Sequence, residues 1–430
     1  MPPEPPNLIL VSIDTLRADH VGAYGYPRPT TPHIDSLAGD SVLFEKCVAH
    51  APSTLASHAS ILTSRLPRHH GASVSRKTRL ADGVTTLTEV LREAGYTTAS
   101  FNGGIQLDRV YGLDRGFDVY VSTQPDTTEV QETLAGDENR LIHGVAQALG
   151  WIEKARAPFF LFLHSYEIHH PYTPDEEHLR VFDRGYEGEL PDHISVGTLQ
   201  DINQRRRTID SADLGHIIDT YDAELRSADE AVGELLAALR AKDLYDGTMI
   251  IVTSDHGEEF AERGMVGWHS HTLFDELLLV PCIVKFPRSE HAGRVASFQA
   301  RGIDLAPTAL AGMGLEIPGG FDGVDLGPQV SGDPAPPLPA LSMFNRGHDE
   351  LSWSLRSRGW KLNQWNDDRL YDLRLDPDEK TDVAETKPRR VKQLREHADA
   401  LLEAREPPAD VATRPREETE EQLRALGYIE

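Results

Sequence analysis

Four short, continuous apolar runs set the strongest limit on the fold of this chain. They cover residues 8–13, 158–164, 248–255 and 279–285, and each is rich in Leu, Ile, Val or Phe. A strand that is apolar at every position, rather than at every second one, is covered on both faces, as in a parallel sheet between helices. Helical patterns lie between these runs, at residues 84–94 and 212–244. The alternation predicts an α/β fold with a mostly parallel central sheet flanked by helices.

Polar and proline-rich stretches divide the rest of the chain. Residues 121–137 and 174–208 are polar, and each is long enough to form an irregular loop that contacts a substrate. A proline-rich joint follows at residues 333–339. Beyond it, short strands are predicted at 352–358, 360–365 and 370–374, followed by a charged helix at 388–405. We therefore predict a catalytic domain over residues 1–340 and a small C-terminal α+β subdomain over residues 341–430.

The charge balance argues against one class of partner. The 430 residues include 43 Lys and Arg against 69 Asp and Glu, which gives a net charge of −26. Phosphate backbones favour a basic surface, so nucleic acid is not expected as a partner. An anionic substrate must then be held by local cations, which favours a metal. The two cysteines, Cys47 and Cys282, exclude a disulfide framework and a cysteine-rich zinc module.

Neither a targeting segment nor a membrane span is expected. The N-terminal stretch carries no basic region and no long apolar region, so it does not resemble a signal peptide. Its apolar run has about six residues, whereas a membrane helix needs about 20. The chain is therefore expected to be cytoplasmic.

Carboxylates and imidazoles follow the predicted strands. Ligand sites in open α/β sheets lie beyond the carboxyl ends of the strands, so these residues are expected to meet at one edge. They are Asp14, His164, His169, Asp255, His256, His269 and His271. Such a set suits a divalent cation, with Asp14, Asp255 and His256 as its core. The alternative for any single residue, and for His164 in particular, is a hydrogen bond that braces a loop.

A hydroxyl-rich segment runs into a helix at residues 51–65. Ser53, Thr54 and Ser57 stand at its start. The N-terminus of a helix offers unpaired N–H groups and a partial positive charge, which suits a nucleophile that attacks a tetrahedral anion. Capping of the helix by Ser or Thr is the competing interpretation.

Ordered motifs along nearly the whole chain resemble the sulfatase family of the alkaline phosphatase superfamily. They are residues 7–19, 22–25, 31–35, 51–65, 112–118, 164–172, 221–226, 254–258, 269–276, 370–373 and 376–379. The resemblance implies an alkaline-phosphatase-like sandwich and a hydrolase of ester bonds. It also implies that an anionic ester, as a small molecule or on a glycan or lipid, is the substrate.

The resemblance assigns roles to matching positions. Asp14, Asp255 and His256 would hold a divalent cation, whether Mn, Zn, Ca or Mg. Thr54 occupies the position of the nucleophile, counted back from residues 59–63, and its Oγ1 would also be a ligand of the cation. His169 would contact the oxyanion or the leaving group. His269 matches a cationic or metal-binding position, with His271 as the competing choice and as a further metal ligand.

The chain departs from the family's pattern at the nucleophile. Sulfatases convert a Cys or Ser into formylglycine within a Cys/Ser-x-Pro-x-Arg motif, whereas this chain has Thr54, Ala56 and His58 at the first, third and fifth positions. Thr15 replaces the second residue of the usual Asp-Asp pair, and a Lys-Trp-His segment is absent near Asn102. A Thr cannot yield the aldehyde hydrate. The pattern therefore favours attack on phosphorus by an unmodified Thr, as in related phosphodiesterases.

We therefore expect a metal-dependent hydrolase in which Thr54 attacks a phosphate or phosphonate ester. His58 and His169 would neutralise developing charge or protonate the leaving oxygen. A sulfatase that works without formylglycine is the alternative, and a catalytically silent relative that binds an anion or a partner is another. The sequence leaves open whether a second cation binds. His169, His269 and His271 could supply imidazole ligands. Asp222 is the candidate for a further carboxylate ligand, but its helical pattern favours a structural role.

Overall fold

The computed structural model describes residues 5–123 except 74 and 76, residues 140–346, and residues 350–412 except 410. The strands are β1 Asn7–Ile13, β2 Val42–Val48, β3 Thr78–Arg79, β4 Thr97–Gly103, β5 Val119–Thr123, β6 Phe159–Ser165, β7 Thr248–Thr253, β8 Glu259–Phe260, β9 Val266–Trp268, β10 Leu279–Val280, β11 Cys282–Lys285, β12 Arg294–Arg301, β13 Ala340–Arg346, β14 Glu350–Ser357, β15 Trp360–Gln364, β16 Asp368–Asp372 and β17 Val411–Ala412. The α-helices are α1 Pro32–Gly39, α2 Thr54–Thr63, α3 Pro67–His70, α4 Leu87–Glu93, α5 Leu141–Ile152, α6 Glu176–Phe182, α7 Val196–Asn203, α8 Ser211–Ala241, α9 Asp275–Leu278, α10 Leu305–Gly312, α11 Gly327–Ser331 and α12 Pro388–Leu402. Short 3-10 turns lie at Ala18–His20, Gly22–Tyr24, Ile105–Leu107, Arg109–Tyr111, Pro287–Ser289 and Gly302–Asp304.

A mostly parallel sheet forms the centre of the molecule, as predicted. Its order is β10-β2-β11-β7-β1-β6-β4-β5, and β12 pairs with β2. β1 runs parallel to both β6 and β7, and β4 runs parallel to both β5 and β6. The apolar runs that the sequence marks at residues 8–13, 158–164 and 248–255 are therefore adjacent strands at the middle of this sheet.

The fourth apolar run is buried as predicted, but it does not run parallel to its neighbours. β11 pairs antiparallel with both β2 and β7, and Pro281 separates it from β10. A continuous apolar pattern reports burial on two faces and says nothing about direction, because side chains alternate in the same way in both kinds of sheet. The sheet is thus mixed, with parallel pairs at its core.

Both faces of the sheet are covered by helices. Leu8 and Leu10 of β1 belong to one buried apolar cluster, together with residues of α2, α4 and α10. Ile9, Val11 and Ile13 point the other way and pack with residues of α1, α5 and α8. Because β1 is covered on both of its faces, it carries apolar residues at successive positions from Leu8 to Val11. The alkaline-phosphatase-like sandwich predicted from the sequence is the fold observed.

The polar stretch at residues 174–208 is not an irregular loop throughout. It contains α6 and α7, which bury Leu179, Phe182, Val196, Leu199 and Ile202 at helical spacing. The side chain of Ser195 also caps α7 by accepting a hydrogen bond from the backbone of Thr198. These short apolar patterns were hidden by the polar residues around them. Of the other predicted loop, residues 124–137 lie outside the described part of the chain.

A small antiparallel sheet with the order β13-β14-β15-β16 lies in the C-terminal part of the chain. It shares a third apolar cluster with α12. Strands β14 to β16 and α12 confirm the elements predicted there, whereas β13 was not predicted. The division of the chain into domains 1–340 and 341–430 stays a prediction. Among the described residues, no helix combines the length and the apolar character that crossing a bilayer requires.

A buried ionic network joins the small sheet to the rest of the molecule. Lys361 of β15 is 1% exposed, and its Nζ lies 2.7 Å from Asp275 Oδ1 and 3.0 Å from Glu379 Oε2. Arg356 pairs with the same aspartate. Burial lowers the pKa of Lys361 to about 8. The carboxylates of Asp275 and Glu379 therefore depend on this ammonium group for compensation of their own buried charge.

Lys361→Met should lower the free energy of unfolding by about 3 kcal/mol, because it leaves two buried carboxylates with less compensating charge. Chemical denaturation of the purified protein measures this. Lys380→Met is the matched control, since Lys380 makes an ion pair with Asp378 that is exposed on both sides. The control should leave the unfolding midpoint in place. Equal midpoints for both variants would contradict a stabilising role of the network.

Candidate active site

The carboxyl ends of several strands meet at one edge of the central sheet. β7, β1 and β6 are parallel neighbours, so Asp14, Asp255 and His164 come together at their ends. β2 runs antiparallel to β11, which runs antiparallel to β7, so β2 has the same direction as β7. The chain that leaves β2 therefore starts α2 at this edge and places Thr54 there. Every one of these side chains is at least 97% buried.

Buried polar atoms at this edge face one another without hydrogen bonds. Among the described residues, Asp14 Oδ1, Asp255 Oδ2, His164 Nε2 and His256 Nε2 have no hydrogen-bond partner. His256 Nε2 lies 3.4 Å from Asp255 Oδ2 and 3.9 Å from Asp14 Oδ1. His164 Nε2 lies 3.3 Å from Asp14 Oδ2. Unpaired buried acceptors of this kind are costly, so their convergence calls for a positive charge between them.

The ring orientations show which nitrogen atoms point inward. His256 Nδ1 donates to the carbonyl oxygen of Gly257 at 2.9 Å, and His164 Nδ1 donates to that of Gly103 at 3.0 Å. A carbonyl only accepts, so each Nδ1 carries the proton and each Nε2 presents a lone pair. Metal-bound histidines are oriented in this way. The residues present thus fit a divalent cation, with Asp14, Asp255 and His256 forming a set of mutually close ligand atoms.

Burial and neighbouring charges are reflected in the pKa values of these groups. Loss of hydration raises the pKa of Asp14 to about 6. Burial acts against the charged form of His256 as well, but the nearby carboxylates of Asp255 and Asp14 raise its pKa above the ordinary value. The protein thus holds ionisable side chains in a dry site at a cost in stability, which is a common property of functional sites.

Thr54 is the first residue of α2, and its side chain does not cap the helix. Its Oγ1 donates to Asp14 Oδ2 at 3.1 Å. Ser53 precedes the helix, and its side chain makes no capping hydrogen bond either. Instead, the side chain of Gln106 accepts a hydrogen bond from the backbone N–H of Leu55 at 3.1 Å. The hydroxyl of Thr54 is therefore directed at the carboxylate cluster rather than used to complete its own helix.

Tyr166, for which the sequence predicted no role, also contacts Thr54. The hydroxyl of Tyr166 donates to Thr54 Oγ1 at 3.2 Å. Its ring lies against Gly104, where a Cβ atom would come within 1.9 Å of the ring. Gly104 also has a φ of +91°, which favours glycine. Gly104 thus lets the ring of Tyr166 approach Thr54.

His58 lies in α2 next to Thr54, with both ring nitrogens hydrogen-bonded within the protein. We expect it to face the developing charge, and it is fully buried. Its Nδ1 donates to the Thr54 carbonyl at 2.9 Å, and its Nε2 accepts from Ser12 Oγ at 2.9 Å. Burial lowers the pKa of His58 to about 3. Both nitrogens of His58 are engaged within the protein, and its Nδ1 also lies 3.6 Å from Asp255 Oδ2. His58, His164 and Asp255 form a further set of mutually close ligand atoms. The role in charge neutralisation expected for His58 stays a prediction.

The two competing histidines of the 269–271 segment lie in different surroundings. The ring of His269 is 4.5 Å from that of His256, between centroids, so it borders the carboxylate cluster. His271 Nε2 instead pairs with Glu259 Oε2 at 2.7 Å, and its side chain is 24% exposed. His271 belongs to none of the described sets of mutually close metal-ligating atoms. The structure therefore favours His269 as the residue next to the cluster and places His271 apart from it.

His169 adjoins His269 and also His170, a residue for which no role was predicted. The ring centroids of His169 and His269 are 4.9 Å apart, and those of His169 and His170 are 4.2 Å apart. Glu258, for which no role was predicted either, accepts a hydrogen bond from His269 Nδ1 at 3.0 Å. Burial opposes its charge, yet the neighbouring histidines hold the pKa of Glu258 well below its usual range. In the sequence, only their position next to predicted ligands marks His170 and Glu258 as candidate site residues.

Two further residues have structural roles. Asp222 accepts hydrogen bonds from His20 Nδ1 at 2.7 Å and from Tyr26 at 2.6 Å, and it pairs with Arg28. It therefore does not belong to the carboxylate cluster, in line with the structural role that its helical setting favours. Thr15, which replaces the second Asp of the usual pair, donates to the carbonyl of Ile168 at 3.2 Å.

A family model for sulfatases, described as "Sulfatase", matches residues 6–315 of this chain. Among curated proteins, the chain is 24% identical to a Delta 4,5-hexuronate-2-O-sulfatase of Bacteroides thetaiotaomicron, over 93% of this chain and 88% of that protein. It is also 24% identical to arylsulfatase A of Bos taurus, over 87% of this chain and 78% of the relative.

Two solved structures share the fold. One is a protein in complex with its substrate D-glucosamine-2-N,6-O-disulfate, with a TM-score of 0.77, 20% identity and coverage of 94% of this chain and 100% of that one. The other is the phosphonate monoester hydrolase of Agrobacterium radiobacter, with a TM-score of 0.75, 20% identity and coverage of 93% and 96%.

Proposed function

The chain belongs to the sulfatase family of ester-bond hydrolases, and from this premise we propose that it is a metal-dependent hydrolase in which unmodified Thr54 attacks a phosphate or phosphonate ester. The observation that carries the proposal is the contact of Thr54 Oγ1 with Asp14 Oδ2 at 3.1 Å, at the edge where unpaired ligand atoms converge. A Thr side chain cannot be converted into formylglycine. The hydroxyl itself is therefore the nucleophile available at this position.

The ester reaction proceeds in two balanced steps. Thr54 Oγ1 forms a bond to phosphorus while the bond from phosphorus to the leaving oxygen breaks, and the proton of Oγ1 ends on the leaving alcohol. Water then cleaves the phosphothreonine, which restores the hydroxyl and releases the phosphate product. Asp14, Asp255 and His256 would hold the cation, which when bound supplies positive charge beside the hydroxyl and the phosphoryl oxygens.

The side chains around Thr54 fix the direction of its lone pairs. The hydroxyl donates to Asp14 and accepts from Tyr166, so its rotation is restricted before substrate arrives. His58 accepts from Ser12 and donates to the Thr54 backbone, which ties the start of α2 to β1. Ser57 Oγ donates to the Asp255 carbonyl at 2.6 Å and ties α2 to the end of β7. The nucleophile and the carboxylates are thereby held as one unit.

A panel of p-nitrophenyl esters tests the proposal. The phosphate monoester, the bis-phosphate diester, the phenylphosphonate and the sulfate are each assayed with Mn, Zn, Ca or Mg. We expect kcat/KM for a phosphorus ester to exceed that for the sulfate by at least about 100-fold, or about 2.7 kcal/mol. Acid quenching during turnover should leave a phosphoryl group on the peptide that contains Thr54. Absence of turnover on every ester with every cation would overturn the proposal.

Hydrolysis of sulfate esters by Thr54 is the second candidate. It is supported by the names of the relatives, since a hexuronate-2-O-sulfatase and an arylsulfatase are among the proteins that this chain resembles. The same panel distinguishes the two candidates, because a sulfatase would prefer the sulfate ester. A sulfated glycan would then be the substrate class to test.

Tyr166→Phe should lower kcat about 5- to 10-fold with little change in KM, because it removes one hydrogen bond to Thr54 Oγ1 and keeps the ring on Gly104. Steady-state kinetics on the preferred ester measures both constants. Tyr96→Phe is the control: its hydroxyl donates to the Pro6 carbonyl at 3.1 Å, away from this edge. If both variants kept the parental kcat, Tyr166 would have no positioning role.

A further inference from the structure

Helix α8 carries a motif, residues 221–226, that contacts the chain segments leaving two strands at the site. The hydroxyl of Tyr221 donates to the carbonyl oxygen of Thr15 at 2.9 Å and accepts from the backbone N–H of Arg17 at 3.1 Å. Glu224 Oε1 accepts a hydrogen bond from the backbone N–H of Thr173 at 2.5 Å. Residues 221 and 224 are neighbours on one face of the helix, so this face holds both the turn that follows β1 and the segment that follows β6.

The turn that follows β1 is strained at Thr15. Its φ is +55°, in the left-handed region that favours glycine, and a branched Cβ makes this region still less favourable. Such a conformation persists only where the surrounding structure holds it. Two hydrogen bonds do so here. Thr15 Oγ1 donates to the carbonyl oxygen of Ile168 at 3.2 Å, and the carbonyl oxygen of Thr15 accepts from Tyr221.

The same turn fixes Asp14 relative to the segment that follows β7. Asp14 directly precedes Thr15. The backbone N–H of Leu16, the next residue, donates to Ser254 Oγ at 3.0 Å, and Ser254 Oγ donates to the carbonyl oxygen of His256 at 2.7 Å. A change of backbone conformation at Thr15 would therefore shift the carboxylate of Asp14 relative to His256.

The ring of Tyr221 is held in place by its own neighbours. The residue is fully buried, and the ring centroids of His20 and Phe260 lie 5.1 and 5.0 Å from its centroid, with interplanar angles of 85° and 73°. Edge-to-face contacts of this kind fix the plane of a ring and with it the position of the hydroxyl. Tyr221→Phe would therefore keep the packing and remove only the oxygen that joins Thr15 to Arg17.

We propose that Tyr221 is a positioning residue of the active site: its hydroxyl holds the strained turn at Thr15 and thereby directs the Asp14 carboxylate towards the other ligand atoms. Tyr221 acts through Asp14 and not on the substrate. The proposal rests on the proposed function, because Asp14 would hold the cation and accepts the hydrogen bond of Thr54. Removal of a residue that orients a metal ligand typically lowers metal affinity or activity about 10- to 100-fold.

The test measures cation affinity in the full-length protein. The protein is stripped with a chelator and titrated by calorimetry with Mn2+, Zn2+, Ca2+ and Mg2+, and the binding event that Asp255→Asn abolishes is followed. We expect Tyr221→Phe to weaken this binding about 10- to 100-fold. Tyr245→Phe is the matched control and should bind as the parent does. Tyr245 is 7% exposed, and its hydroxyl donates to Asp40 Oδ2 at 2.7 Å, before β7 begins at the opposite edge of the sheet.

Thr15→Gly tests the link to the strained turn. Glycine adopts a φ of +55° readily, so the turn then depends less on Tyr221. Thr15→Gly added to Tyr221→Phe should therefore recover at least about 3-fold of the lost affinity. If the double variant binds no better than Tyr221→Phe alone, the role given to the strain is wrong.

Thr15→Val takes the place of Tyr221→Phe if that variant does not fold, as shown by its unfolding midpoint in chelator. It keeps the branched shape, removes the hydrogen bond to Ile168 and should weaken cation binding about 10-fold. Ester hydrolysis by the parent, together with parental cation affinity in the folded variant, refutes the positioning role and leaves the proposed function standing. Weaker cation binding in the variant, with no hydrolysis of any ester by the parent, does the reverse. A parent protein that binds none of the four cations refutes both.

Discussion

Thr54→Val should lower kcat on the preferred ester by at least about 10³-fold, while the protein stays folded. The variant keeps the branched shape of the side chain and removes only the hydroxyl that the mechanism uses to form the covalent intermediate. Thr54 is fully buried at the start of α2. Loss of its hydrogen bonds to Asp14 and Tyr166 is therefore expected to cost some stability as well.

Thr54→Ser separates the chemical role from the structural one. It restores a hydroxyl at the same position and should regain a measurable fraction of the parental kcat, together with the phosphoryl adduct after acid quenching. Circular dichroism shows whether each variant is folded. Thr54→Val turning over the ester as fast as the parent would identify another nucleophile, and the mechanism given above would then be wrong.

Asp255→Asn should abolish binding of the cation and lower kcat by at least about 10³-fold. Asp255 Oδ2 is one of the unpaired acceptors that face His256 Nε2, and the amide of Asn is a weaker ligand without charge. Chelation of the parent protein should have the same effect on kcat, and return of the preferred cation should reverse it for the parent but not for the variant.

Without metal, Asp255→Asn is not expected to destabilise the protein. In a chelator, Asp255→Asn relieves repulsion between buried carboxylates, so it should unfold at the same or a higher denaturant concentration than the parent. With the cation present, only the parent should gain stability, because binding stabilises the folded state. Asp333→Asn, on an exposed residue, should behave as the parent in both conditions. A variant that is less stable than the parent in chelator would show that Asp255 stabilises the fold by itself.

Much of the architecture was predictable because hydrophobic patterns act locally. The alternation of Leu8 and Leu10 against Ile9 and Val11 between two apolar clusters follows from the geometry of a strand, which the sequence displays directly. The pattern could not give the direction of β11, because parallel and antiparallel strands bury their side chains in the same way. It also missed α6 and α7, whose few apolar residues stand among polar ones.

The site was predictable only in part, for a related reason. Asp14, Asp255 and His256 follow apolar runs, so their position at strand ends could be inferred, and the structure brings their ligand atoms together. The roles given to these residues stay predictions until the ion is counted. His58 and His271 carry suitable chemistry in the sequence, yet Nδ1 of His58 donates to the carbonyl of Thr54 within α2 and His271 pairs with Glu259.

The sequence by itself determined which segments form the buried sheet, where the polar residues leave it, and that a threonine stands at the start of α2. The tertiary structure alone decided which ring nitrogens face the cluster, and that Tyr166 reaches Thr54 across Gly104. The physical reason is the distance along the chain over which the deciding interactions act. Burial and helix starts depend on neighbours along the chain, whereas a ring orientation depends on a hydrogen bond to a carbonyl or carboxylate far away in sequence, as for His164 and Gly103.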